Sequence, residues 1–501
     1  MSRLNAKNIK RGISYIKRNG LINGYYKAME RIARDREESG YTQQFYAKAP
    51  SDEVLRAQRS EKFSSPYLIS ILIPAYETDP KLFRQTIKSV YDQSYYNWEL
   101  IIADASSTDA LRSVVNDFIR ERSLERCSQF AGDNLGRRII YTHLDANKGI
   151  SGNTNEALKL ANGKYVALLD HDDLITPDAL YEIMKVLSSK ETFNERDNGT
   201  RSAVRVVYSD EDKISSDGSE LFDPHFKPDF DPMLICTNNY ICHFLVVETA
   251  LARGVGGFTS EYDGAQDHDF ILKCIEGLAD EEIGHVAKVL YHWRSTAGST
   301  SENPEAKLYA YEAAGRASAA HLARIGAQCE VVPTPHLGFY RVKFTPIDAK
   351  VREMSPADFA AVTKEQLNGI NEEYIFVKGD DLYPVGKDCL TDMLSHMRMI
   401  DVGAVCGKII SNGVVESTGF DRTNNGKSAR FAGLNSRYSG YMHRAQLQMC
   451  IDDVPNDLFL VRKSAIDCSL GTPRISENFR MVCDPYAIYR RKRSKSKAQR
   501  G

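Results

Sequence analysis

The chain has 501 residues, 26% of them charged, with a formal net charge of -2 at pH 7. That length suits two or three domains, and the near-neutral balance argues against a nucleic-acid binder. Ten cysteines without a Cys-x-x-Cys pair point to neither a zinc site nor a disulfide framework and suit a reducing cytosol. No apolar run reaches bilayer-spanning length and the N-terminus lacks a signal-peptide core, so the expected location is cytoplasmic.

Residues 1–65 read as a helical extension, with Ile9, Ile13 and Ile16 at helical spacing before Gly20 interrupts the pattern. This stretch is basic (Lys7, Lys10, Arg11, Lys17, Arg18), and so is the tail, residues 491–501, which follows Arg490. Both ends suit peripheral contact with the inner face of an anionic membrane; a solvated helical face and a disordered tail are the alternative.

The first buried strand is expected at Leu68–Ile73, followed by the loop Pro74-Ala75-Tyr76-Glu77 and a helix with Phe83, Ile87, Val90 and Tyr91 on one face. A second strand, Trp98 to Ala103, ends on Asp104, and a third spans Arg138 to Tyr141. Next, Asn147-Lys148-Gly149 opens a helix. Asp104 and Glu77 suit a base or ribose, and Lys148 suits a phosphate, although each also reads as a turn cap or a solvated side chain. The glycines here lack the spacing of a dinucleotide-binding loop.

A fourth strand, Tyr165 to Leu169, runs into Asp170-His171-Asp172-Asp173, with Thr176 and Pro177 opening a new helix. Crowding carboxylates at a strand end is unfavourable unless a cation offsets it, and oxygen ligands suit Mg2+ or Mn2+. Strands alternating with helices predict an α/β fold with a mostly parallel sheet.

The ordered set Ile-Pro-Ala-Tyr-Glu, Asp104, Asn147-Lys148-Gly149 and Asp170-His171-Asp172-Asp173 resembles inverting glycosyltransferase family 2, over residues 66–345. The resemblance implies the GT-A fold, a Rossmann-like sheet flanked by helices. It also implies a nucleotide-sugar donor, a divalent cation (Mn2+ or Mg2+), and a glycan or lipid-linked glycan acceptor in cell-surface polysaccharide synthesis. On that basis Pro74, Ala75, Tyr76, Glu77 and Asp104 line the nucleoside pocket, Asp170 serves ribose and metal, and Asp172 binds the metal. Asp267, in Gln266-Asp267, stands where the family often has Glu-Asp and becomes the candidate general base, with Asp269 its nearest rival and a helix N-cap its bland alternative. His292 is a candidate third metal ligand and Arg294 a candidate diphosphate contact, with Gly298–Ser301 as a covering loop.

Beyond residue 345 the chain repeats its own second half. Glu373–Leu382 resembles Lys164–Leu174, Asn456–Val461 resembles the segment around His243, and Cys483–Tyr489 resembles the approach to Tyr291. Residues 346–490 therefore read as a degenerate partial second α/β domain of the same type. It lacks the first nucleotide-binding strands, the first acid of the triplet and a Gln266-Asp267 equivalent, and is expected to be inert. A nucleotidyltransferase is disfavoured because Ala75–Asp79 is acidic and glycine-free. A catalytically inactive transferase serving as a glycan-binding scaffold is the non-enzymatic alternative.

Overall fold

A computed structural model describes residues 6–123, 135–189, 192–193, 201–296, 308–423, 426–469 and 471–492. The expected covering loop at 298–301, and 493–501 of the basic tail, lie outside the described residues. The chain divides into two compact units. One comprises Glu38–Phe230 and Asn239–His321, the other Met1–Glu37, Asp231–Asn238 and Leu322–Gly501. The helical extension is accordingly shared: α1 (Ala6–Glu37) belongs to the second unit, while α2 (Tyr41–Lys48) and α3 (Asp52–Ser60) belong to the first. No helix among the described residues is long and apolar enough to cross a membrane.

The first unit is built on one sheet. Its strands are β1 (Ile69–Ala75), β2 (Trp98–Asp104), β3 (Ile139–His143), β4 (Tyr165–Leu168), β5 (Leu174–Ile175), β6 (Val206–Ser215), β7 (Leu221–His225), β8 (Leu245–Glu248) and β9 (Ile283–Ser295). They lie in the order β3-β2-β1-β4-β8-β6-β9-β5, with β7 beside β6. The four N-terminal strands are parallel, joined by helical crossovers. β8 enters antiparallel between β4 and β6, and β9 returns parallel to β6. The sheet is mixed, parallel over β1–β4 and between β6 and β9 and antiparallel elsewhere, within the α/β fold expected of the GT-A class.

Local sequence explains these elements. β1 and β2 are buried on both faces and read as continuous apolar runs. α4 (Pro80–Tyr91) starts at Asp79, whose side chain caps the Lys81 N–H, with proline in the first turn. Its buried face is Phe83, Ile87, Val90 and Tyr91, the stripe expected from the spacing, together with Thr86. These pack with Leu100, Ile102 and Phe118 into the main core.

The second unit has strands β10 (Val351–Met354), β11 (Tyr374–Lys378), β12 (Leu382–Pro384), β13 (Val402–Ser411), β14 (Val414–Ser417), β15 (Leu458–Arg462) and β16 (Arg480–Arg491). Their order is β10-β11-β15-β13-β16-β12, with β14 beside β13. Replacing β10, β11, β15, β13, β16, β12 and β14 by β1, β4, β8, β6, β9, β5 and β7 reproduces the first sheet from β1 onward, with one further strand, Met449–Ile451, antiparallel beside β16. The strand directions agree pair by pair.

Two expectations need correction. A strand does occupy the first-strand position, because β10 pairs parallel with β11 as β1 does with β4; the strands without a counterpart are β2 and β3. The C-terminal stretch of the second unit also starts at Leu322 and not at 346. The hairpin Cys329–Pro333 and Tyr340–Phe344 is bound into it by Gln448, which pairs with both the N–H and the C=O of Val342 at 2.8 Å.

Candidate active site

The site forms at the carboxyl ends of β1, β2 and β4, where open α/β sheets collect ligands. At the end of β2, Asp104 is fully buried. Its Oδ1 accepts from the Ser106 N–H at 2.8 Å and its Oδ2 from the Tyr141 hydroxyl at 2.5 Å. Glu77, after β1, has a left-handed φ of 47° and donates its N–H to Ser106 Oγ at 2.8 Å. Its carboxylate accepts from the Ser107 N–H, a bond that lowers its proton affinity. Pro74 and Ala75 close β1, and Tyr76 follows with its ring half exposed. The expected nucleoside-pocket residues thus share two neighbouring strand ends.

The Asn147–Gly149 turn opens α6 after α5 (Ala110–Ser123), and α6 spans Gly149–Leu160. Gly149 has φ 75°, and a Cβ there would come within 2.6 Å of Asp263 Oδ2, so the position requires glycine. Asp263 also accepts from the Ser151 hydroxyl. Lys148 Nζ lies 2.7 Å from Glu156 on the same helix.

Three carboxylates gather after β4, ahead of α7 (Ala179–Ser189). Asp173 is almost completely buried. It accepts from the Tyr291 hydroxyl at 2.5 Å and the Arg294 N–H at 2.7 Å. Burial, then the charges of Asp170 and Asp172, push its proton affinity well above the carboxylate range despite those bonds. Asp172 is raised as well, mainly by burial, with Asp170 adding to the shift and His171 opposing it. Among the described residues the Asp170 carboxylate has no hydrogen-bond or ion-pair partner. Together with Asp173 and His243 it offers one ligand atom each within 4.8 Å of the others.

His243 arrives on the loop before β8. Its ring stacks on Tyr291 with centroids 4.6 Å apart. It also shares a 4.8 Å cluster with Glu211 and Cys242. Beneath this loop Lys227 is buried, donating to the carbonyls of Ile241 (2.7 Å) and His243, with Glu211 3.6 Å away. Burial lowers the proton affinity of Lys227. In Glu211 burial acts upward, but the Lys227 charge and the His225 hydrogen bond outweigh it and bring the carboxyl down to about 2.

Asp267 lies in the first turn of α8 (Gln266–Ile275). Its Oδ2 accepts from Asn239 Nδ2 at 2.8 Å and Cys242 Sγ at 3.2 Å. Asp267 is therefore joined to the carboxylate cluster through Cys242 and His243. Asp269, the rival base, is buried and paired with Lys273 at 3.0 Å.

Two expected members are not brought to the cluster. Successive residues of β9 alternate faces, so Tyr291 reaches Asp173 while His292 turns the other way. His292 Nδ1 lies 2.5 Å from Asp212, and its ring sits edge-on to Phe45 of α2. Arg294 is buried as a brace: Nε donates to the Asp172 carbonyl at 2.6 Å, and the other nitrogens to Ser216 O and Gln85. Asp172 itself stands outside the Asp170–Asp173–His243 group, with Oδ1 3.7 Å from His171 Nδ1. Sequence reading missed His243, Asn239 and Cys242 as site residues. The available signal was the segment Asn238–His243, adjacent in sequence to a strand but without a predicted partner.

The donors present fit a hard divalent cation: an unpartnered carboxylate, a second carboxylate of raised proton affinity beside it and an imidazole, set where like charges repel. Clustered acids at the carboxyl ends of parallel strands stand where open α/β sheets collect ligands. Residues 70–194 match the family model described as glycosyl transferase family 2.

A Sinorhizobium fredii protein described as uncharacterized protein y4gI is 41% identical over 275 residues, 55% of this chain and 28% of that protein. The O-antigen biosynthesis protein RfbC of Myxococcus xanthus is 29% identical over 301 residues, 60% of this chain and 21% of its own. The chain thus spans about a quarter of the length of these curated relatives. Among solved structures, S. aureus TarS 1-349 in complex with UDP-GlcNAc is similar at 19% identity and TM-score 0.36, over 51% of this chain and 66% of that one.

Proposed function

We propose that the first unit transfers a sugar from a nucleotide-diphosphate sugar to a glycan or lipid-linked glycan acceptor, with inversion, in cell-surface polysaccharide synthesis on the cytoplasmic side. The observation that carries this reading is the run Asp170–His243–Cys242–Asp267, in which the ligand atoms of Asp170 and His243, and of His243 and Cys242, lie within 4.8 Å and Cys242 Sγ is 3.2 Å from Asp267 Oδ2, linking a metal-suited strand end to a carboxylate on a separate helix. The match of residues 70–194 to glycosyl transferase family 2 supports the reaction class, and the similarity to the O-antigen biosynthesis protein RfbC supports the pathway.

Inversion requires an acceptor hydroxyl to attack the anomeric carbon from the face opposite the departing nucleoside diphosphate. Asp267 takes the proton from that hydroxyl. Asn239 and Cys242 occupy Oδ2, which leaves Oδ1 for this role. Asp170 would hold a Mn2+ or Mg2+ ion, with Asp173 and His243, and not His292, within 4.8 Å of it, and Asp172 of the same turn would complete the site although it stands outside that group. The ion, when bound, stabilises charge on the leaving diphosphate. Tyr76, Glu77 and Asp104 line the nucleoside end, while Lys148 lies at the mouth of α6. Arg294 keeps the acidic turn in shape from below.

The second unit is proposed to be catalytically inert. Its strand β11 ends on Gly379 where β4 is followed by Asp170. The test is a donor-hydrolysis screen with Mn2+ across the common nucleotide-sugars. Release of nucleoside diphosphate from one donor, abolished in Asp172→Ala, is expected. If no donor is turned over and calorimetry finds no metal-dependent nucleotide binding, the glycan-binding scaffold replaces this reading.

A further inference from the structure

Past the break at Gly20 (φ 82°), α1 is amphipathic in the reverse of the usual sense. Its polar and aromatic side packs onto its own unit. Lys27 Nζ lies 3.3 Å from His443 Nε2, and Glu30 accepts from the N–H groups of Ser439 (2.7 Å) and Gly440 (2.9 Å). Tyr26 meets Tyr438 edge-on at 5.9 Å. The opposite side carries Leu21, Ile22, Tyr25, Met29 and Ile32. At 3.6 residues per turn these fall on one arc. All five are exposed, Leu21 at 76%, Ile22 at 62% and Tyr25 at 61%.

A contiguous apolar stripe on a helix whose polar face is already docked marks an interaction surface. Charge identifies what covers it. Residues 6–36 contain nine Lys and Arg against two acids, in a chain whose overall charge is -2. Both acids are engaged, Glu30 with Ser439 and Asp35 with Arg31. Lys17, Arg18 and Arg36 are exposed. A second copy packed through the same stripe would bring these basic clusters together, whereas an anionic surface neutralises them.

We propose that the outer face of α1 docks on an anionic lipid surface, with Leu21, Ile22, Tyr25, Met29 and Ile32 at the headgroup–acyl boundary and Lys17, Arg18 and Arg36 at the phosphates. This concerns where the protein works and stands independently of the reaction proposed above. At the other basic end Arg491 is held by Glu416, Asp381 and Asp457.

The test is co-sedimentation of the full chain with vesicles of phosphatidylglycerol and phosphatidylcholine in equal parts, and of phosphatidylcholine alone. The wild type is expected to partition to the anionic vesicles. Leu21→Gln, Tyr25→Gln and Ile32→Gln combined should lower that partition by about ten-fold or more. Lys17→Glu with Arg18→Glu should lower it by roughly ten-fold, and added salt should weaken wild-type binding. An unchanged thermal midpoint in each variant shows that α1 remains docked. No binding to anionic vesicles, equal binding to neutral ones, or binding indifferent to both variants overturns the proposal. So does a dimer in sedimentation velocity that the triple variant disperses.

Discussion

In the first unit β4 runs into Asp170, and the residue five before Glu248 on the neighbouring strand is His243. In the second, β11 runs into Gly379, and the residue five before Arg462 is Asp457. Register makes these positions equivalent, because Tyr165 pairs with Glu248 as Tyr374 pairs with Arg462. Likewise Leu174 pairs with His292 as Leu382 pairs with Arg491, so Asp381 stands where Asp173 does. In the second sheet Arg491 donates to Asp381, Asp457 and Glu416, at 2.8, 2.8 and 2.6 Å. These carboxylates, Glu416 first, raise its proton affinity further. A permanent side-chain cation thus holds together the acids of one sheet, while the acids of the other are left repelling one another. One framework can be kept for packing once a charge of its own replaces the ion.

The comparison breaks most sharply at its acids. Asp172→Ala should reduce donor turnover by at least about a thousand-fold, the loss of several kcal/mol of leaving-group stabilisation. Asp381→Ala, in the matching turn of the second sheet, should leave turnover within about two-fold. Steady-state kinetics on the two variants decides it; comparable losses would make the sheets functional equals. Asp267→Asn should cut transfer by about a hundred- to ten-thousand-fold with donor affinity retained, as expected of a general base. Calorimetry beside a transfer assay separates the two effects.

Smaller effects sharpen the contrast. Lys227→Met leaves Glu211 buried without its counter-charge and should destabilise the first unit by about 3–5 kcal/mol in denaturant unfolding. Glu211 sits at about 2, below its ordinary value, so its contribution is present above the ordinary carboxylate range and lost as pH falls towards 2. Acid unfolding should therefore begin at higher pH in Lys227→Met than in the wild type. Arg491→Met should cost about 1 kcal/mol, since the guanidinium and its partners are partly exposed, and should not alter turnover.

Much of this was legible along the chain. The apolar runs of β1 and β2, the stripe of α4, the Asp79 and proline start signals and the acids after β4 are local patterns, and local patterns survive folding. The repeat was legible for the same reason: Tyr374–Lys378 and Leu458–Arg462 carry their burial in their own residues. What escaped depends on pairing at long range. His243 reaches Asp170 only because β8 inserts antiparallel beside β4, a register that no period encodes. His292, a candidate ligand by family resemblance alone, turns to Asp212, because the alternation along β9 gives the cluster face to Tyr291. β10, only four residues long and half exposed, lacked the apolar run that marked β1. The reversed amphipathicity of α1 was invisible until Glu30 and Lys27 were seen to face protein.

That the first sheet holds a cation site where the second holds an arginine is a proposal open to direct test. It is tested most directly by counting Mn2+ on the full chain, by electron paramagnetic resonance in the presence of each common nucleoside diphosphate. The account predicts a single bound ion, lost in Asp170→Ala and Asp172→Ala, weakened in His243→Ala, and unaffected in His292→Ala and Asp381→Ala. A second ion that disappears in Asp381→Ala, or one ion indifferent to both Asp170 and Asp172, would contradict it.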